Sequence, residues 1–336
     1  MNRFPAHYPV GEEQYSDKEK QLFSITTSRY NSLVAGSMSE ISIKKGPITL
    51  AGLFFKPSNA SGKTSGLVIV HPGGGVKEQV AQTYAKKLAD TGFTTVAYDA
   101  SFQGASEGDP HFLEDPNERV SDIYAVVDYL QNLDTVDADK IGVLGFCSGG
   151  GYAAAAARGD HRIKALATIS VVNIGDSARL GWDGDEDPSK QVGPLSAAAA
   201  QITREAQGAE RAAVPYVPPQ PEENTPWDMK EASNYYLTPR AQHPRSQNKM
   251  LYLSFPRVLT FDAFLFADLY LKQPVLLIAG EKSESLWHTE RLDKLLGGAT
   301  KKVIVPNGTH IDFYDKEEYL EPAVKDIVEF MKEYLD

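Results

Sequence analysis

The sequence predicts an α/β fold: a mostly parallel sheet with helices on both faces. Three observations lead there. Short apolar runs recur without polar alternation, as in strands buried on both sides. Segments with apolar residues at helical spacing separate them. One such run, Ile141 to Leu144, passes through Gly145-Phe146-Cys147-Ser148-Gly149 straight into an alanine-rich helix.

Taken in order, Glu40 to Ile43 and Ile48 to Phe55 flank the turn Lys45-Gly46-Pro47 and read as a strand pair. Leu67 to His71 is an apolar strand ended by Pro72-Gly73-Gly74-Gly75. Glu78 to Asp90 has helical spacing and Gly92 as its stop. Phe93 to Tyr98 is a buried strand, and Asp115 to Leu130 a helix with Val120, Ile123, Tyr124, Val127 and Leu130 on one face. Asp137-Ala138-Asp139 breaks the pattern before the strand Lys140 to Gly145. The helix Ser148 to Arg158 and the strand Ile163 to Val171 follow. The rhythm resumes with Pro274 to Ala279, Ser285 to Leu296, Lys302 to Val305 and an amphipathic helix from Lys316 to Tyr334.

The stretch between breaks this rhythm, with the proline cluster Pro215 to Pro221, the acidic Asp183 to Asp187 and a set of aromatics. A loop that long inside a compact domain usually has structure and purpose. The expected organisation is an N-terminal extension over 1–37, a core over 38–172 and 273–336, and an inserted lid over 173–272. Within the lid, Trp227, Tyr235 and Tyr236 are candidates for binding an apolar acyl group, although each also suits a lid core. Leu251 to Leu271 is apolar enough to cover the sheet or to join a homodimer.

A formal charge of −11 repels phosphate backbones and anionic membrane surfaces, so neither nucleic acid nor membrane is an expected partner. The polar N-terminus and the lack of an apolar run of spanning length point to the cytoplasm. A single cysteine builds no disulfide and no thiolate-rich metal site, and no metal or cofactor is expected.

That one cysteine stands where chemistry is done. Strand, G-x-C-x-G and helix make a nucleophile elbow in which Cys147 replaces the usual serine. Such a turn forces the central side chain up at the carboxyl edge of the sheet, and the helix N-terminus is expected to lower the thiol pKa. A frame centred on Ser148 fails because position 146 is Phe; the Ser148 N–H is instead an expected oxyanion donor. The second donor is expected from Gly74 or Gly75, in a loop where His71 reads as a structural pin. The remaining partners come after later strands. His310 follows Lys302 to Val305, and Glu284, in Gly280-Glu281-Lys282-Ser283-Glu284-Ser285, is the expected acid, with Asp312 as runner-up.

H-P-G-G-G-V-K-E-Q at 71–79, Y-D-A-S-F-Q-G at 98–104, L-E-D-P at 113–116, G-F-C-S-G-G-G-Y at 145–152 and Y-Y-L-T-P-R at 235–240 together resemble one group of α/β-hydrolases. It comprises dienelactone-hydrolase-like bacterial proteins and fungal polyketide transferases, and the resemblance runs from about residue 38 to 334. It implies the α/β-hydrolase fold and a cysteine-centred triad carried onto Cys147, Glu284 and His310. The family usually shows aspartate where Glu284 stands. The expected activity is hydrolysis of a small ester or thioester through an acyl-enzyme. The alternatives are transfer of a polyketide-like acyl group to an alcohol and, on the same fold, a non-catalytic binder or a lyase.

Overall fold

A computed structural model describes residues 37–58 and 60–336 of the chain. Of the expected N-terminal extension only Ser37 falls within the described residues, where it opens the first strand. In chain order the elements are β1 (Ser37–Lys45), β2 (Ile48–Lys56), β3 (Thr64–Val70), α1 (Val80–Asp90), β4 (Thr94–Tyr98), α2 (Pro116–Gln131), β5 (Val136–Phe146), α3 (Ser148–Gly159) and β6 (Ile163–Ile169). An insertion follows, holding α4 (Ile174–Leu180), α5 (Val192–Ala206), β7 (Ala213–Val214), α6 (Trp227–Leu237), β8 (Met250–Leu251), α7 (Phe255–Thr260) and α8 (Ala267–Tyr270). The chain then completes its core with β9 (Val275–Gly280), α9 (Leu286–Leu295), β10 (Lys301–Val305), α10 (Asp312–Asp315) and α11 (Glu317–Leu335).

Eight strands form one sheet in the order β1-β2-β4-β3-β5-β6-β9-β10. β2 is antiparallel to β1 and β4, and every other neighbouring pair is parallel. The inner parallel strands β3, β4, β6 and β9 are buried almost throughout, which explains their lack of polar alternation, whereas the edge strand β10 is half-exposed. One face packs α1 and α11 through Tyr84, Leu88, Ile327, Phe330 and Met331. The other packs α2, α3 and α9 through Ile123, Val127, Tyr152, Ala156 and Leu292. Each large apolar side chain buried here stabilises the fold by roughly 1.5–3 kcal/mol.

Two differences from the expected elements have local causes. β5 begins at Val136, through the acidic residues expected to break it, because Val136 pairs with Thr64 and is fully buried. The register then shifts, which lets Asp137 and Asp139 bulge towards water. The last helix is preceded by the separate turn α10, which carries Tyr314 into the interior.

The insertion packs into both cores, with Tyr235 and Tyr236 on one side of the sheet and Ala263 and Phe264 on the other. Its apolar stretch after β8 divides accordingly. Val258, Leu259 and Leu271 are buried, whereas Leu265, Phe266, Leu269 and Tyr270 are exposed. No helix among the described residues is long and apolar enough to cross a membrane.

Candidate active site

Cys147 sits between β5 and α3 with φ 52° and ψ −126°, in the left-handed region that a residue with a Cβ rarely occupies. The turn closes because its neighbours are glycine: a Cβ on Gly145 would lie 2.4 Å from the Gly149 carbonyl oxygen, and one on Gly149 would lie 2.5 Å from those of Val70 and His71. The Cys147 N–H donates to the Ile169 carbonyl at 3.0 Å, and its own carbonyl accepts from Gly150 and Val172 at 2.9 Å. The side chain is thereby fixed at the carboxyl ends of the central strands, with its surface partly exposed. Ser148 is buried, and its hydroxyl accepts from the Gly73 N–H at 2.7 Å, pointing towards the glycine loop.

The thiol overturns the expected ionisation. Burial pushes it up to about 12, against the smaller downward pulls of the Ser148 N–H, the Tyr314 hydroxyl and the Arg119 charge. A helix N-terminus contributes typically 0.3–1 kcal/mol, less than one pK unit of roughly 1.4, while burial shifts a group by up to several units. The helix N-terminus alone therefore does not offset the burial of the thiol.

His310, on the loop after β10, is fully enclosed, and burial holds its imidazole down at about 3. Its Nδ1 lies 2.6 Å from the Ser285 hydroxyl and its Nε2 3.4 Å from the Tyr314 hydroxyl. The His310 carbonyl accepts from the Ser170 hydroxyl at 3.2 Å, and the Trp182 ring packs beside the imidazole, tilted by 59° at 5.4 Å between centroids. Among the described residues the Cys147 thiol makes no hydrogen bond to His310; contacts of this kind often tighten only when substrate is bound.

The two expected acids are engaged elsewhere. Both Glu284 oxygens accept backbone N–H groups at the start of α6, from Trp227 and Asp228 at 2.9 Å each. Four unsatisfied amides at a helix start attract a carboxylate, and Glu284 answers them rather than His310. Asp312 accepts from the Thr309 N–H at 3.0 Å and pairs with Lys316. The carboxylate near His310 is Asp228, wholly buried on α6. Its Oδ2 accepts from the Ser285 N–H at 3.2 Å, the Ser283 hydroxyl at 3.3 Å and the Trp182 indole N–H at 3.2 Å, and the Ser283 and Ser285 hydroxyls are 2.8 Å apart. Its Oδ1 stands 3.5 Å from the His310 N–H.

The glycine loop is held from beneath. His71 Nε2 accepts from the Ala100 N–H at 3.1 Å, so the ring proton sits on Nδ1 and donates to the Pro72 carbonyl at 2.7 Å. Burial, reinforced by the Arg119 charge, holds His71 well below its usual range, as a neutral pin. The Gly75 N–H closes a turn onto the Pro72 carbonyl at 3.2 Å, whereas the Gly74 N–H has no partner among the described residues. Tyr216 of the insertion lies against this loop: a Cβ on Gly74 would come within 2.7 Å of its ring. The Tyr216 hydroxyl donates to Glu114 at 2.5 Å, alongside that of Tyr152 at 2.6 Å.

The three expected substrate-binding aromatics separate. Trp227 is 56 % exposed at the start of α6, and Tyr235 packs edge-on against Tyr314 in the core. Tyr236 is buried, with a hydroxyl that has no partner among the described residues. Asp228, Ser285, Tyr314 and Tyr216 were not expected. Tyr314 lies one helical turn beyond His310 and Ser285 ends the loop after β9, whereas Asp228 and Tyr216 are brought to the site only by contacts between residues far apart in the chain.

The model of the Dienelactone hydrolase family matches residues 50–170, from β2 through the cysteine turn to the end of β6. Protein YcjY of Escherichia coli K12 is 39 % identical over 287 residues, covering 85 % of this chain and 94 % of that protein. The chain belongs to the dienelactone hydrolase family. As a member it is a hydrolase-family enzyme of α/β-hydrolase fold. The solved structure of PA2218 from Pseudomonas aeruginosa superposes with a TM-score of 0.83 at 27 % identity, covering 90 % of this chain and 95 % of that one. A more distant relative is Acyltransferase drtE of Aspergillus calidoustus, 24 % identical over 284 residues, 81 % of this chain and 88 % of that protein.

Proposed function

We propose that this dienelactone hydrolase family member cleaves an ester or thioester through an acyl-enzyme on Cys147. The observation that carries the reading is the backbone of Cys147, held in a strained turn between β5 and α3 that aims the thiol at the site beneath the insertion. His310 Nε2 takes the thiol proton as sulfur bonds to the carbonyl carbon, and the carbonyl electron pair moves onto oxygen. The N–H groups of Ser148 and Gly74 receive that oxyanion, Gly75 being committed to its turn. Collapse expels the alcohol or thiol, which leaves with the proton from His310. Water then attacks the acyl-enzyme, gives its proton to His310 and releases the carboxylic acid as the thiol re-forms. With thiol and imidazole both neutral at rest, the attack is a base-assisted step rather than that of a preformed thiolate.

In this reading the insertion acts as a lid. Trp182 packs against His310 and Tyr216 lies on the glycine loop. Such cover excludes bulk water, and with a relative named as an acyltransferase it favours a second reading in which an alcohol takes the acyl group in place of water.

The test is incubation with p-nitrophenyl esters and acyl thioesters of increasing chain length, with intact-mass spectrometry of wild type and Cys147→Ala. An acyl adduct confined to wild type, and a fall of at least about 10³-fold in turnover for the variant, are expected. Turnover that survives in Cys147→Ala rejects the covalent route. Added alcohols that raise turnover select transfer over hydrolysis.

A further inference from the structure

Two serines of the loop after β9 stand between His310 and a carboxylate that belongs to the insertion. From the imidazole outward, Nδ1 meets the Ser285 hydroxyl at 2.6 Å, that hydroxyl meets Ser283 at 2.8 Å, and Ser283 reaches Asp228 Oδ2 at 3.3 Å. An ionised carboxylate only accepts, which fixes the direction of the whole chain. Ser283 donates to Asp228, Ser285 donates to Ser283, and Nδ1–H donates to Ser285. The tautomer this imposes leaves the lone pair on Nε2, the nitrogen the proposed mechanism needs as base.

We propose that Asp228, carried on the insertion helix α6, is the charged partner of His310, acting through Ser285 and Ser283, so that the base is complete only while the insertion is docked. The proposal rests on the acyl-enzyme reading above. Asp228 is a positioning residue: the thiol proton stops on Nε2, and the buried carboxylate orients the ring and offsets the imidazolium charge while it lasts. Docking is reciprocal. The core residue Glu284 caps α6, and α6 returns Asp228 to the core loop, with Trp182 donating to the same carboxylate and its carbonyl accepting from the Trp287 indole at 2.9 Å.

The relay is sensitive to protonation. Burial, partly offset by hydrogen bonds from Ser285 and Trp182, raises Asp228 to about 6, and a protonated carboxyl donates and frees the chain to reverse. The groups facing it are the carboxylates of Glu284, Asp183 and Glu231, together with His310, Cys147 and Tyr314. His310, held at about 3, stays neutral through this window, so turnover falls as pH drops through about 6 because of Asp228.

The experiment compares wild type, Asp228→Asn and Ser285→Ala on p-nitrophenyl esters, with kcat, KM and pH profiles. ¹⁵N NMR of histidine-labelled resting protein reports the His310 tautomer. Expected are a loss of roughly 10²-fold in kcat with KM changed less than about threefold in either variant. The acidic limb near 6 disappears in Asp228→Asn, and the Nδ1–H tautomer of wild type gives way to a mixture in both variants. Ser285→Ala keeps the carboxylate in place, so it remains informative if Asp228→Asn does not fold. Wild-type kcat and an unchanged tautomer in the variants overturn the proposal, even where wild type forms the Cys147 adduct. Absence of that adduct in wild type instead removes the acyl-enzyme reading, and the tautomer measurement still decides the relay.

Discussion

In the core, Cys147 is held by backbone: its N–H and carbonyl are bonded to β6 and its flanks, and two glycines admit main-chain atoms where any Cβ would collide. In the insertion, Asp228 and Tyr216 reach the same site through side-chain bonds to Ser283, Ser285 and Glu114, and Trp182 through bonds to Asp228 and Trp287, most of them joining residues far apart in the chain. Backbone positioning survives anything that leaves the sheet folded. Side-chain positioning is lost whenever the two regions part, because each bond of this kind contributes only about 0.5–3 kcal/mol. Under the proposed function, the difference suits a nucleophile held still by the sheet and a cover held by bonds weak enough to release.

The sharpest way to break this comparison is to add one methyl group to each region. In Gly149→Ala the new Cβ meets two carbonyl oxygens at 2.5 Å, and backbone cannot rotate aside as a side chain can. We expect loss of measurable turnover and a destabilisation of about 1–3 kcal/mol or more. In Gly193→Ala, at the start of α5, the Cβ meets nothing within 4 Å, and helix propensity favours the change by up to about 1 kcal/mol. Thermal denaturation of both variants checks the pair. A Gly149→Ala protein with wild-type melting and turnover shows that the elbow is not fixed by its backbone.

The same division decided what the sequence disclosed. The elbow and the glycine loop each follow an apolar strand and carry a short motif, and His310 is marked by its place after the last strand. Glu284 was a reasonable expectation on the same logic, since it follows β9. Its carboxylate turned instead to the amides of α6, a helix 56 residues away whose arrival no local spacing announces. Asp228 sits in Pro226-Trp227-Asp228-Met229, a run with no motif, and becomes visible only once α6 is docked. The thiol pKa failed for a related reason: the helix N-terminus is legible in the chain, but the burial that outweighs it is a property of the assembled site.

A second measurement sharpens the electrostatic half of the comparison. With burial holding the thiol near 12 and the imidazole near 3, the thiolate fraction rises tenfold per pH unit across the neutral range. Alkylation of Cys147 by iodoacetamide should therefore quicken about 100-fold from pH 7 to pH 9, since only the thiolate reacts. A plateau between pH 5 and pH 8 reveals a thiolate–imidazolium pair, and the site is then more polar than its enclosure indicates.

The smallest expected effect separates the two carboxylates that the loop after β9 brings near one another. Glu284→Gln keeps an acceptor for one amide at the start of α6 but removes the charge that opposes the helix dipole. The cost is a weakened cap of about 0.5–1 kcal/mol. Because neither Glu284 oxygen lies on His310, turnover should stay within about threefold of wild type, and the acidic limb proposed for Asp228 should persist but move somewhat below 6, since the Glu284 charge that helps raise Asp228 is gone. A fall in kcat comparable with that of Asp228→Asn, at unchanged melting temperature, would return the role of triad acid to Glu284. It would also mean that α6 swings away to release that carboxylate when substrate binds, making the insertion a competitor for the core's acid rather than the supplier of its own.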